Sequence, residues 1–214
     1  MKIQFDHNQA FQLDAISAVT DIFEGQPVAA GRHEVNLAGD FGGALTELGR
    51  ANALAIDDTA ILANVRAVQK RNGIAEAAEL QGMNFSVEME TGTGKTYVYL
   101  RTIHELYRRY GWAKFIIVVP TVAIREGVMK NIELTREHFS ALYDNASCDA
   151  WVYDSRQVSR LRQFATANTL QILVMNIDAF NKSVNVIGIE NDRLSGRKPL
   201  EFVQAARPIV LLDE

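Results

Sequence analysis

From residue 84 onward the chain alternates short apolar runs with longer stretches of amphipathic, helix-favouring sequence. The run Phe115–Val119 is apolar at every position, which is typical of a strand covered on both faces. This alternation predicts an α/β domain with a central, mostly parallel sheet. The predicted strands are Phe85–Met89, Phe115–Val119, Trp151–Tyr153, Ile172–Met175 and Ile209–Leu212. The predicted helices are Lys95–Tyr110, Thr121–Phe139, Ser155–Ala167 and Leu200–Arg207.

Before residue 84 the pattern changes to apolar positions at helical spacing, without alternating strands. It predicts helices at Phe11–Phe23, Ile56–Arg71 and Ile74–Leu80, with Gly73 as the break between the last two. Glycine-rich residues Gly25–Gly43 predict a loop, and the polar stretch Ser183–Pro199 predicts an excursion or hairpin before the last helix. We therefore expect a helical, partly irregular N-terminal extension over residues 1–83 and the main domain over residues 84–214.

Composition supports a folded protein with a buried core, since 48% of the residues are hydrophobic and 22% are charged. The single cysteine, Cys148, excludes an internal disulfide, and four scattered histidines form no cluster of the zinc-binding type. No apolar run approaches the roughly 18 residues of a membrane-spanning helix. We expect a cytoplasmic protein with no membrane partner.

Charge is unevenly distributed along the chain, whose net charge is −4. Residues 1–83 carry 6 basic and 11 acidic side chains, whereas residues 84–214 carry 16 basic and 15 acidic side chains. A generally basic nucleic-acid binder is not supported. Any site for a polyanion is expected in the second part of the chain.

The sharpest motif is the sequence Glu-Thr-Gly-Thr-Gly-Lys-Thr at 90–96, between a predicted strand and a predicted helix. Glycines let the backbone curl so that the N–H groups of Thr91, Gly92, Thr93 and Gly94 point at phosphate oxygens, beside the positive end of the helix dipole. Lys95 would reach the β- and γ-phosphates of a nucleotide, and Thr96 would bind Mg²⁺ through its hydroxyl. Met89 stands where the common pattern has its first glycine. The alternative is a glycine turn before a helix, with Lys95 merely solvated.

The second motif lies at the end of the chain, where four apolar residues precede Asp213 and Glu214. A carboxylate after a strand, beside a phosphate loop, is where a P-loop enzyme holds Mg²⁺, and a neighbouring glutamate can polarise the attacking water. We expect Asp213 to bind the metal and Glu214 to act as the base. The alternative is a solvated acidic terminus.

These motifs, together with Val-Pro-Thr-Val-Ala-Ile-Arg-Glu-Gly-Val at 119–128 and Met-Asn-Ile-Asp-Ala-Phe-Asn-Lys at 175–182, resemble the first motor domain of superfamily 2 helicases. The narrowest resemblance is to the restriction (Res) subunit of type III restriction-modification enzymes. The segment Phe11–Ile16 is similar to the adenine-recognition segment of such motors. The resemblance implies a RecA-like P-loop NTPase fold for the main domain.

The resemblance also implies roles for single residues. Gln12 would hydrogen-bond adenine, with an exposed helix glutamine as the alternative. Thr121, Arg125 and Asn176 would contact DNA phosphates at the carboxyl edge of the sheet. For Thr121 the alternative is a helix N-cap, and for Arg125 it is a solvated helix charge.

In functional terms the resemblance implies an ATP- and Mg²⁺-dependent, DNA-stimulated ATPase that translocates on double-stranded DNA. Such enzymes also have a second motor domain, a nuclease domain and a methyltransferase (Mod) partner subunit, and we expect this sequence to be a fragment lacking the two domains. Two alternatives remain: a nucleotide- and DNA-binding fragment without useful turnover, and a motor of another superfamily 2 helicase or repair protein.

Overall fold

The computed structural model describes most of the chain, namely residues 5–28, 45–46, 48–179, 186–190, 194 and 196–213. Its contacts divide the chain into two compact units. The first contains the described residues up to Val28 together with Leu54–Tyr110. The second contains the described residues between 29 and 53 and those from Gly111 onward. The predicted boundary between residues 83 and 84 remains a prediction about domains.

The first unit is helical. It consists of α1 (Ala10–Thr20) with a following 3₁₀ turn (Asp21–Phe23), α2 (Asp58–Arg71) and α3 (Lys95–Tyr110). Asp57 caps α2, since its carboxylate accepts a hydrogen bond from the Ala60 N–H at 2.8 Å. Helix α1 packs on α3, and α2 packs on the 3₁₀ turn. Apolar side chains on the facing sides are buried, including Ile16, Ile22, Ile61, Ile103 and Leu106.

Polar contacts join the carboxyl ends of α1 and α3. The Tyr110 hydroxyl donates to the Thr20 carbonyl at 2.9 Å. Arg71 and Arg109 each form a 2.8 Å ion pair with Asp21. These arginines lower the pKa of the Asp21 carboxyl against the opposing effect of burial, which is the largest single influence. The end of α3 is therefore fixed to the end of α1.

The second unit is an α/β structure built on a parallel sheet of four strands in the order β4-β5-β3-β6. Its elements are an antiparallel pair, β1 (Leu45–Thr46) and β2 (Gly49–Arg50), then β3 (Lys114–Val119), α4 (Val122–Leu142), β4 (Cys148–Val152), α5 (Ser159–Thr166), β5 (Leu170–Asn176), α6 (Pro199–Ala206) and β6 (Ile209–Leu212). Short 3₁₀ turns occupy Ser155–Gln157, Ile177–Ala179 and Val186–Gly188. The central strands β3 and β5 are buried along almost their entire length, as their continuous apolar runs predict.

A buried polar cluster organises the amino edge of this sheet. The Asn52 side chain donates to the Lys114 carbonyl at 2.8 Å and accepts from the N–H groups of Ala113 and Lys114 at 3.0 and 3.1 Å. The Lys114 ammonium donates to the carbonyls of Phe164 and Ala167 at the end of α5, at 2.5 and 2.6 Å. A cation is favourable at this helix terminus, where carbonyl oxygens lack helical partners.

The α/β class and most predicted elements are confirmed. The four strands of the sheet and the four helices predicted after residue 84 lie within a few residues of their predicted positions, and so do the first two predicted helices. The predicted helix at Ile74–Leu80 is wrong. The Arg66 guanidinium donates hydrogen bonds to the carbonyls of Ala77 and Ala78 at 2.7 and 2.6 Å. A segment of one or two turns also has little helical stability of its own.

The predicted strand at Phe85–Met89 is also wrong for this structure, where residues 84–90 have no regular secondary structure. The side chains of Phe85 and Val87 are 37% and 44% exposed. Unlike β3, this stretch alternates apolar and polar residues, so its sequence alone does not require burial on both faces. A strand also needs a neighbour to complete its hydrogen bonds, and this stretch pairs with no other described residue.

Two predicted loops fall in part on residues that the structure leaves undescribed. For Gly25–Gly43 only the beginning is described, and for Ser183–Pro199 the described part includes the 3₁₀ turn at Val186–Gly188. Among the described residues, no helix has the length and apolar character needed to cross a membrane.

Candidate nucleotide site and nucleic-acid interface

The glycine-rich loop leads directly into α3. Gly92 and Gly94 have φ angles of +83° and +86°, a backbone conformation that glycine adopts without the steric cost of a Cβ atom. A Cβ on Gly92 would meet no atom within 4 Å, so the loop is open on this side. Helix α3 begins at Lys95, and its first turn is closed by a 3.0 Å bond from the Val98 N–H to the Gly94 carbonyl.

Side chains of the loop stabilise its conformation through hydrogen bonds to the loop's own backbone. The Thr93 hydroxyl donates to the Glu90 carbonyl at 2.6 Å, and the Lys95 ammonium donates to the Met89 carbonyl at 3.0 Å. Lys95 and Thr91 are exposed, whereas Thr96 is partly buried in the first turn of α3. The lysine therefore folds back along the loop, with its ammonium at the solvent-accessible surface.

Gln12 connects α1 to this loop across 81 positions of sequence. Its side-chain amide donates to the Thr93 carbonyl at 2.9 Å, and the residue is only 8% exposed. A Cβ on Gly94 would lie 2.9 Å from the Gln12 Nε2 atom, so glycine is needed there for close approach as well as for backbone conformation. The alternative of an exposed helix glutamine is wrong. The predicted contact with adenine remains a prediction.

The structure brings Arg125 and Asn176 together at the carboxyl edge of the sheet. Val119 at the end of β3 pairs with Asn176 at the end of β5, and the Arg125 guanidinium donates to the Asn176 side-chain oxygen at 3.3 Å. Arg125 also forms a 2.9 Å ion pair with Glu126. Thr121 caps α4, since its hydroxyl accepts from the Ile124 N–H at 3.2 Å. The capping role is thus observed, and contact of these residues with DNA remains a prediction.

Asp213 reaches the same edge from β6. Its backbone N–H donates to the Val118 carbonyl at 3.0 Å, which continues the pairing of Leu212 with Val118. Asp213 and Lys95 belong to different compact units, and each is placed within its own unit. Glu214 lies outside the described residues, as do Phe180 and Lys182 of the motif at 175–182.

The segment from the end of β4 to the first turn of α5 adds charged groups that the sequence did not single out. Asp154 accepts both from the backbone N–H of Arg156 and from its guanidinium, with a closest ion-pair distance of 2.8 Å. The Arg160 guanidinium lies over the Trp151 ring, 4.4 Å from its centroid. Trp151 itself is 5% exposed and belongs to the core. The sequence Asp-Ser-Arg directly after a predicted strand could have indicated charged groups at this place.

Burial shifts the pKa of three groups outside these sites. It lowers the pKa of His104 to about 4, with Glu105 acting in the opposite direction. It lowers the pKa of Lys114 to about 8, and the Arg50 charge acts in the same direction. It raises the pKa of Cys148 to about 12, which keeps this thiol protonated and unreactive at neutral pH.

The donor set at the loop fits a nucleotide phosphate. An open backbone curl, two glycines with positive φ, a helix amino terminus and an accessible ammonium group are the features that bind phosphate in proteins. Within the described part of the chain, no cluster of three or more His, Cys, Asp or Glu side chains could hold a metal ion by itself. A metal at this loop would therefore depend on groups outside such a cluster, such as the Thr96 hydroxyl and the phosphates themselves.

Comparison with known proteins points to one family. The family model described as "Type III restriction enzyme, res subunit" matches residues 58–214, which include the glycine-rich loop and the whole parallel sheet. Three relatives carry the same kind of name. The StyLTI Res subunit of Salmonella typhimurium is 35% identical over 150 residues, covering 61% of this chain and 15% of the relative. The EcoP15I Res subunit of Escherichia coli is 28% identical over 172 residues, covering 71% of this chain and 18% of the relative.

The EcoPI Res subunit of Escherichia phage P1 is likewise 28% identical over 175 residues, covering 71% of this chain and 18% of the relative. This chain therefore spans less than a fifth of the length of these relatives. The matched region contains every described residue of the loop at 90–96 and of the sheet edge at Thr121, Arg125, Asn176 and Asp213. The chain therefore belongs to the family of type III restriction enzyme Res subunits, and its parallel sheet is consistent with a RecA-like domain.

Proposed function

We propose that this chain binds ATP with Mg²⁺ and forms the first part of an ATP-driven motor acting on double-stranded DNA. The observation that carries the proposal is the open glycine loop at the start of α3, held by the buried side chain of Gln12. A loop of this geometry presents backbone N–H groups and a helix amino terminus to an anion. Membership of the Res family supports nucleotide use and DNA as the macromolecular partner.

Each loop residue then has a distinct part in binding. The N–H groups of residues 91–94 hold phosphate oxygens, and the Lys95 ammonium leaves the Met89 carbonyl to reach the β- and γ-phosphates. The side chains of Thr96 and Asp213 would hold Mg²⁺, which supplies charge neutralisation on the phosphates when it is bound. Glu214 would orient and deprotonate the attacking water. Gln12 would recognise adenine through its amide while it supports the loop.

DNA would lie along the carboxyl edge of the sheet. Thr121, Arg125 and Asn176 follow two adjacent parallel strands, so their polar groups meet at one edge. A hydroxyl, a guanidinium and an amide N–H are the donors that position a phosphate backbone without reading its sequence. Association with a Mod subunit, which the resemblance to type III restriction-modification enzymes implies, and a cytoplasmic location are parts of the same proposal.

Calorimetric titration with Mg-ATP tests the nucleotide site. Lys95→Ala should lower ATP affinity at least about tenfold, because it removes a cation that contacts two phosphates. Lys95 is exposed, so the variant should melt at the same temperature as the parent. Lys70→Ala, an exposed lysine at the end of α2 in the same unit, is the matched control and should bind ATP normally. Unchanged affinity in a folded Lys95→Ala variant would contradict the proposal.

A further inference from the structure

The loop after β4 leaves the sheet beside the proposed DNA-binding residues. Strand β4 is an edge strand and pairs in parallel with β5, with Val152 opposite Val174. The Tyr153 N–H donates to the Val174 carbonyl at 2.9 Å, so the pairing continues past the end of β4. In the same register, Asp154 follows β4 opposite Asn176, the last residue of β5. The polar row of Arg125 and Asn176 thus extends toward the segment at residues 153–160.

Two arginines after β4, Arg156 in the 3₁₀ turn and Arg160 in the first turn of α5, are held in different ways. Arg156 is 87% exposed and is locked to Asp154, so a carboxylate offsets its charge. The Arg160 guanidinium carbon lies over the Trp151 ring, 4.4 Å from its centroid, and no carboxylate among the described residues forms an ion pair with Arg160. A guanidinium in a cation–π contact keeps its charge and its N–H donors. Arg160 is therefore ordered by an aromatic ring without being neutralised by an acid.

We infer that Arg160, oriented by Trp151, is a phosphate-binding residue that extends the DNA path from Arg125 and Asn176 to the outer strand β4. A guanidinium that is already ordered loses less conformational entropy when it binds a phosphate. The planar group presents two donors in a fork that matches two phosphate oxygens. This inference rests on the proposed function, because it assumes that DNA lies along the carboxyl edge of the sheet.

The alternative role for Arg160 is to shield the ring of an edge-strand tryptophan from water. Arg160→Met separates the two roles, because methionine keeps an apolar chain over Trp151 and removes the charge. The matched control is Arg162→Met, which removes an exposed arginine from the same helix and changes the net charge equally. Arg160→Lys is a second variant, since it keeps the charge but loses the planar fork.

Fluorescence anisotropy with a labelled DNA duplex at several salt concentrations gives both the affinity and the salt slope. Arg160→Met should weaken binding several-fold and reduce the slope of log K against log salt by about 1, because one phosphate contact is lost. Arg160→Lys should keep most of the slope with lower affinity, and Arg162→Met should match the parent in both quantities. Calorimetry should give the same Mg-ATP affinity for all four proteins.

Three results would overturn the inference: the first two leave the proposed function standing, and the third does not. If the parent binds DNA and Arg160→Met keeps its affinity and slope, Arg160 only shields Trp151 and the proposed function is untouched. The same conclusion follows if Arg162→Met loses as much affinity and slope as Arg160→Met, because the effect is then one of general charge. If the parent itself does not bind DNA, the DNA part of the proposed function fails and this inference fails with it.

Discussion

At the scale of single residues, Gln12 is the side chain through which α1 acts on the glycine loop. Its amide donates to the Thr93 carbonyl while its Cβ and Cγ fill a buried position. Gln12→Ala should therefore weaken ATP binding about two- to tenfold, the effect of losing one net hydrogen bond of about 0.5–1.5 kcal/mol. Calorimetric titration with Mg-ATP measures this change.

The control for this variant is Gln9→Ala, at the cap position of the same helix, where the side chain forms no capping hydrogen bond. Its ATP affinity should equal that of the parent. If Gln12→Ala and Gln9→Ala bind ATP equally well, the contact with Thr93 does not support the nucleotide site.

His104 makes the stability of the first unit depend on pH. Its pKa is about 4 in the folded protein and 6.5 as an ordinary histidine, so the unfolded chain binds the proton more readily. The contribution of neutral His104 is fully present above pH 6.5 and is lost as the pH falls toward 4. The free energy of unfolding should drop by about 3 kcal/mol across this window, at about 1.4 kcal/mol for each pH unit.

Urea unfolding at a series of pH values measures this dependence. His104→Gln should flatten the profile between pH 6.5 and 4, whereas His138→Gln, at a partly exposed position on α4, should leave the profile in place. A parent whose stability is constant over this range would show that burial of His104 does not oppose its protonation.

At the scale of elements, Asn52 joins the segment after β2 to the start of β3. Its side chain bonds three backbone groups of Ala113 and Lys114, of which the two of Lys114 are buried, and its own N–H donates to the Ala206 carbonyl at 3.1 Å. Asn52→Ala leaves these groups without the side-chain partner and should cost about 3 kcal/mol of unfolding free energy, since each unsatisfied buried group costs about 1–3 kcal/mol.

Denaturant titration compares this variant with Asn131→Ala. The Asn131 side chain donates at 2.9 Å to the Gly127 carbonyl of its own helix at an exposed position, so its loss should cost less than about 0.5 kcal/mol. Equal destabilisation by the two substitutions would mean that the Asn52 cluster does not anchor the edge of the sheet.

At the scale of the whole molecule, the arginines described in the first unit are engaged away from the glycine loop. Arg71 and Arg109 contact Asp21, Arg108 contacts Glu105, and Arg66 and Arg101 donate to backbone carbonyls. Stabilisation of the transferring phosphoryl group in P-loop motors depends strongly on an arginine donor. We therefore expect this 214-residue chain to bind ATP but to hydrolyse it at less than about 1 per second, with little stimulation by DNA.

A steady-state phosphate-release assay with and without duplex DNA measures this turnover. Binding of ADP with aluminium fluoride gives a second readout, because a site without the arginine donor should gain little affinity for this mimic of the transition state over ADP. Turnover of 1 to about 10³ per second that rises with DNA would contradict the expectation and indicate a complete catalytic site.

The sequence by itself determined those elements whose local pattern of residues is compatible with only one secondary structure. Strands β3 and β5 could be predicted because their runs are apolar at almost every position, which only burial on both faces satisfies. The start of α3 could be placed to the residue because Gly94 and Lys95 end a glycine curl and begin a long helical pattern. The resemblance motifs led to the same family that the comparisons show.

Only the tertiary structure decided which distant groups meet. Gln12 and Thr93 are 81 positions apart, Asn52 and Lys114 are 62 apart, and Arg125 and Asn176 are 51 apart. Such contacts depend on strand order and helix docking, and local periodicity carries no information about either. The stretch 85–89 is the converse case, because its alternating pattern permits a strand but a strand forms only where a neighbouring backbone completes its ladder. Local sequence thus set the propensities of the elements, while long-range pairing decided which of them formed and which side chains came within bonding distance.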